Sequence, residues 1–82
     1  MNLDQLSPDE LRTLITDALT ELAARADPAA FAELIGLHRA LGEALGKSAR
    51  VIAGSGSWAR VADLAGTTRQ AAWSRWRLPD HE

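Results

Sequence analysis

Apolar positions recur at three- and four-residue intervals through most of this chain, with polar residues filling the gaps. Leu11, Leu14, Ile15, Ala18, Leu19 and Leu22 make one such stripe. That period belongs to an amphipathic helix, and no segment shows the two-residue alternation of a strand. The start of this first helix is marked three ways. Ser7 can cap it, Pro8 suits its first turn, and Glu10 completes the capping-box spacing. Leu6 and Leu11 have the spacing of a hydrophobic staple across that cap. The helix should end near Arg25.

Asp27-Pro28 repeats the signal of a cap followed by proline. The second helix is then long, because no proline follows before Pro79. Phe31, Leu34, Ile35, His38, Leu41, Leu45, Ala49 and Ile52 form one face, and Leu37, Ala40, Ala44 and Val51 form a second. Apolar character on two faces predicts two contact layers, one against the first helix and one against a partner subunit. Gly36, Gly42 and Gly46 each weaken this helix by roughly 1 kcal/mol relative to alanine. They either admit a close neighbour or break the helix near Gly46, and continuity is the expectation. Gly54-Ser55-Gly56-Ser57 reads as a loop, with Ser57 capping a third helix from Trp58 to Ala65. Gly66 supplies a turn. Thr67 can cap a fourth helix, with Gln70 as its box partner, running to about Leu78 before Pro79 stops it.

Charge divides the chain. Residues 1–46 carry eight acids against three arginines, a balance of −5, whereas residues 47–78 carry six basic residues against Asp63 alone, a balance of +5. The net charge of −2 conceals this asymmetry. A basic C-terminal segment points to a polyanionic partner.

The segment SWARVADLAGTTRQAAWSRWR, Ser57 to Arg77, reads as a helix-turn-helix. Ala62 is small where the two helices would cross, and Gly66 suits a left-handed turn between them. Val61, Ala65, Ala72 and Trp76 are spaced to face inward, with Trp58 in the core. Thr68, Arg69, Gln70, Trp73, Ser74 and Arg77 fall on the outer face. Arginine can contact guanine bidentately and glutamine can do so with adenine, so this face suits the major groove of double-stranded DNA. Trp73 either touches a thymine methyl or the sugar-phosphate backbone, or packs on the second helix or on the partner subunit. Thr67 is a further candidate for DNA contact, Lys47, Arg50 and Arg60 are candidates for phosphate contact, and Arg75 either reaches phosphate or lies along the surface.

These residues resemble a helix-turn-helix segment of small actinobacterial DNA-binding proteins of the nucleoid-associated type. The resemblance rests on Trp58, Gly66, Thr68-Arg69-Gln70-Ala71-Ala72 and Trp76, within about 21 of the 82 residues. It departs from that pattern at Thr67, where an apolar residue is usual, and at Ala65, where a larger aliphatic is usual. It implies a DNA-binding protein, either nucleoid-associated with an influence on transcription or a small regulator.

Other chemistry finds little to work with. The sequence has no cysteine, so neither a disulfide framework nor a thiolate metal site is available. His38 lies on an apolar face and His81 in the tail, and no metal or cofactor is expected. Gly54-x-Gly56 lacks the lysine and spacing of a phosphate loop. Acids lie on solvated helix faces, with no apolar pocket implied to tune them, so no enzyme activity is expected. The polar, acidic start MNLDQLSPDE and the lack of a long apolar run predict no signal peptide or membrane span, hence a cytoplasmic protein.

The expected architecture is therefore all-α and dimeric. A helical pair over 1–53 mediates dimerisation, a helix-turn-helix spans 54–78, and 79–82 form a tail, in one compact domain without a small-molecule ligand. The expected function is sequence-preferring DNA binding of the chromosome-organising type. A local repressor acting at few operators is the alternative, and a protein–protein interaction module is the alternative from another class.

Overall fold

A computed structural model describes residues 2–78 and is all-helical: α1 spans Pro8–Arg25, α2 Pro28–Ser55, α3 Trp58–Ala65 and α4 Arg69–Trp76. A short 3₁₀ turn over Leu3–Gln5 precedes them. Pro79, expected to stop the fourth helix, and the tail 79–82 with His81 lie outside the described residues. The chain divides into two compact units, Met1–Leu37 and His38–Glu82. No described helix is long and apolar enough to cross a membrane.

In the first unit, α1 begins with the capping box its sequence spells out. The Glu10 amide donates to Ser7 Oγ at 3.2 Å, and the Ser7 amide donates to Glu10 Oε1 at 2.8 Å. Pro8 has no amide hydrogen, so two of the three orphan donors at that helix start are satisfied reciprocally. At its other end Ala26 takes a left-handed conformation, φ 53°, to turn the chain into α2. Asp27 then accepts from the Ala30 amide at 2.7 Å. The apolar stripe of α1 is largely uncovered: Leu11 and Leu22 are half-buried, no residue of α1 is buried, and Leu14, Ile15 and Leu19 stay exposed. Phe31 and Ile35, on α2, are more than half exposed.

The second unit holds a small core. Ala49 of α2, Val61 and Ala62 of α3 and Ala72 of α4 are buried together, and Ile52, Ala53, Trp58 and Trp76 pack around them. Alanines at three of the four central positions let the backbones approach closely, while the two tryptophans supply most of the apolar volume. α2 passes through Gly42 and Gly46 without a break. Gly46 is buried, and a Cβ there would sit 3.1 Å from Arg50 Nη1 and 3.7 Å from Trp76 Cδ1. The missing side chain therefore makes room for a guanidinium and an indole. No atom crowds Gly36 or Gly42 within 4 Å.

Three local expectations need correction. Gly54 and Ser55 belong to α2, leaving only Gly56 and Ser57 between α2 and α3. The half-burial of Ile52 and Ala53 holds that turn helical despite its composition, and Ser55 Oγ donates back to the Ile52 and Val51 carbonyls. The cap of α4 is Thr68, not Thr67, so Gln70 has no box role. α4 also ends at Trp76, two residues earlier than expected.

Candidate functional site

The site candidates gather on α4, and the turn before it sets their position. Gly66 ends α3 in the left-handed region at φ 69°, ψ 37°. Its amide donates to the Asp63 carbonyl at 3.4 Å, and the Thr67 amide donates to the Ala62 carbonyl at 2.9 Å. This pair of bonds is the Schellman closure of a helix. Because the Thr67 amide is committed to α3, the extended residue that opens α4 is the next one. Thr68 Oγ1 accepts from the Ala71 amide at 3.1 Å, as Ser57 Oγ accepts from the Arg60 amide at 3.2 Å for α3. Each such cap contributes about 1 kcal/mol.

From that start, helical geometry separates two faces of α4. Ala72 is completely buried, and Trp76, one turn later, packs on the same core. Arg69, Gln70, Trp73, Ser74 and Arg77 are exposed. Residues 69, 70, 73, 74 and 77 follow three- and four-residue spacing, so they share one side of the helix and its C-terminal cap. Thr67 and Thr68 are exposed at its N-terminal end. Ala65, expected to face inward, is exposed instead and rims a shallow apolar groove of about 180 Å³ shared with Leu45 and Leu64.

Aromatic faces hold two of the arginines. The Arg77 guanidinium lies 4.4 Å from the centroid of the Trp73 ring, and that of Arg75 lies 5.4 Å from Trp76. Such stacking is worth about 0.5–1 kcal/mol at an exposed position and restricts the side chain without neutralising it. Trp73 remains 42% exposed, so its ring and the stacked Arg77 form a cationic surface plate. Among the described residues the only ion pair is Arg25–Glu21, and none of the α4 arginines has a carboxylate partner.

Lys47 on α2 and Arg60 on α3 are exposed, and no hydrogen bond links their side chains to α4. Arg50, also a phosphate candidate, makes a contact within the second unit. Its Nη1 donates to the Trp76 carbonyl at 3.2 Å, satisfying an acceptor at the C-terminal end of α4 and tying α2 to it. That bond joins residues 26 positions apart, and no local pattern announces it. Arg39 went unselected in the sequence because it lies in the acidic half. It lines a groove of about 910 Å³ with Arg50, Arg75 and Arg77. No group of three or more His, Asp or Glu residues with metal-site geometry occurs among the described residues. Comparison with known protein families, with characterised proteins and with solved structures finds no match to the chain.

Proposed function

We propose that this chain is a small DNA-binding protein that lays α4 in the major groove of double-stranded DNA. One observation carries the reading: α4 turns Ala72 and Trp76 into the core and leaves Arg69, Gln70, Trp73, Ser74 and Arg77 outward, with no carboxylate among them. In this reading α3, the Gly66 turn and α4 act as a helix-turn-helix. Arg69 and Gln70, in the first turn of α4, read base edges, as the N-terminal residues of a recognition helix do. The Trp73–Arg77 plate rests on a thymine methyl or the sugar-phosphate backbone. Thr67, Thr68, Lys47 and Arg60 contact phosphate.

The protein acts as a homodimer in this proposal. Support comes from the apolar side chains left uncovered on α1 and on α2, where Leu14, Ile15, Leu19, Phe31, Ile35, Leu41 and Val51 are between 36% and 66% exposed. Each retains on the order of 1 kcal/mol of unrealised burial, enough together to drive association. A twofold dimer reads a palindromic site with half-sites about one helical turn, ~34 Å, apart. A chromosome-organising protein of the nucleoid-associated type is the role we propose. Occupancy at hundreds of loci, not a handful, separates it from a local repressor.

An anisotropy titration with labelled duplex DNA tests the reading. Four to six phosphate contacts per dimer predict a fall in affinity of ~10²-fold or more from low to moderate salt. Absence of binding to mixed-sequence duplex at low salt rejects DNA binding and leaves the apolar surfaces to a protein partner.

A further inference from the structure

The groove between the middle of α2 and the C-terminal end of α4, wholly within the second unit, has a composition that DNA reading does not require. It measures about 910 Å³, within the range of small-molecule sites. Among the described residues four guanidinium groups line it, Arg39 and Arg50 from α2 and Arg75 and Arg77 from the end of α4, against one carboxylate, Glu43. None of the four is ion-paired among the described residues. Three are held in place by contacts that leave their charge intact: Arg50 by the Trp76 carbonyl, Arg75 by the Trp76 ring and Arg77 by the Trp73 ring. Four like charges against one carboxylate among the described residues raise the local potential and favour a polyvalent anion. The groove is also half apolar in character, since Leu45 and Leu78 line it and are 49% and 60% exposed.

We propose that this groove binds an organic phosphate of nucleotide size, its phosphates on the guanidinium groups and its apolar part on Leu45 and Leu78. Guanidinium forks match phosphate oxygens bidentately, and arginine favours such contacts over a point-charge lysine. The proposed ligand is a free diphosphate ester; a DNA strand laid along the groove is the competing occupant, and the duplex measurement below separates the two. This site stands on the groove itself and does not depend on DNA reading, although it shares Arg77 with the Trp73 plate.

The test is a tryptophan-fluorescence titration of the full chain with ADP, inorganic pyrophosphate and adenosine. Trp76 lines the groove and reports occupancy. ADP is expected to saturate with a dissociation constant of about 1 mM or tighter, pyrophosphate to bind more weakly, and adenosine not to saturate. Arg39→Gln and Arg75→Gln alter exposed side chains and should each weaken ADP by about tenfold, whereas Arg12→Gln on α1 leaves it unchanged. Far-ultraviolet circular dichroism confirms that each variant keeps its helices. The proposal is overturned if ADP fails to saturate at about 10 mM, if adenosine binds as tightly as ADP, or if both glutamine variants bind ADP like the wild type. Loss of duplex affinity in those variants without any ADP binding assigns the groove to the DNA backbone and equally overturns it.

Discussion

Two helix ends in this chain pose the same backbone question with opposite residues. Gly66 closes α3 at φ 69°, ψ 37°, and Ala26 closes α1 at φ 53°, ψ 35°. For an L-residue the left-handed region costs about 1–2 kcal/mol, because Cβ crowds the following carbonyl. Gly66 avoids that cost; Ala26 bears it. A Cβ added at Gly66 meets no atom within 4 Å, so Gly66→Ala carries the backbone term alone, with no clash to add. The reduced freedom of alanine in the unfolded chain returns about 0.4–1 kcal/mol, leaving a net loss near 1 kcal/mol. Ala26→Gly should give a gain of similar size. For a domain of this length 1 kcal/mol corresponds to about 4–8 °C in Tm. All three tryptophans lie beyond residue 37, so fluorescence melting reads Gly66→Ala within the second unit, while circular dichroism reads Ala26→Gly. Gly66→Asn should recover much of the loss, since asparagine tolerates this conformation. A Gly66→Ala variant that melts at or above the wild-type temperature, or an Ala26→Gly variant that melts lower, refutes the reasoning.

Other outcomes follow from the same contacts. Thr68→Ala removes the α4 cap and should cost about 1 kcal/mol of stability by denaturant titration, whereas Thr67→Ala should cost much less, because only the Thr67 amide is used. Ala72→Leu forces a larger side chain into a fully buried site and should cost about 1–3 kcal/mol while displacing α4, seen as a blue- or red-shifted tryptophan emission. In duplex binding, Arg69→Ala should lose about 1–3 kcal/mol with relaxed base preference, against a uniform loss across sequences for Lys47→Ala. If Arg69→Ala also loses affinity equally on every sequence, Arg69 contacts phosphate and not a base.

What the sequence made legible was local. Ser7 with Glu10, Ser57, and Gly66 announce helix ends because capping is decided within three or four residues, and each stands where the spacing puts it. Thr67 and Thr68 are equivalent by composition. Only the bond from the Thr67 amide back to Ala62 decides between them. Gly54 and Ser55 look like a loop by propensity, yet the half-burial of the adjacent Ile52 and Ala53 keeps them helical. Gly46 could be read as a break or as a close approach, and the approach of Arg50 and Trp76 resolves it. Periodicity predicted the apolar stripe of α1 but not that it stays largely uncovered, since a stripe carries no information about its partner. The outward set on α4 was readable because eight residues of helix repeat every 3.6 positions once Ala72 is inside. The arginine groove was not, because Arg39 and Arg77 lie far apart in the chain and meet only through the packing of α2 and α4.

Selection of bound duplexes from a random pool, with molar mass measured in the same buffer, tests whether α4 reads duplex DNA. The expected outcome is a dimer that enriches a palindromic site with half-sites about one turn, ~34 Å, apart, and an Arg69→Ala variant that loses preference at one base pair of each half-site. A pool that emerges unenriched, from a protein that retains no duplex at low salt, contradicts it.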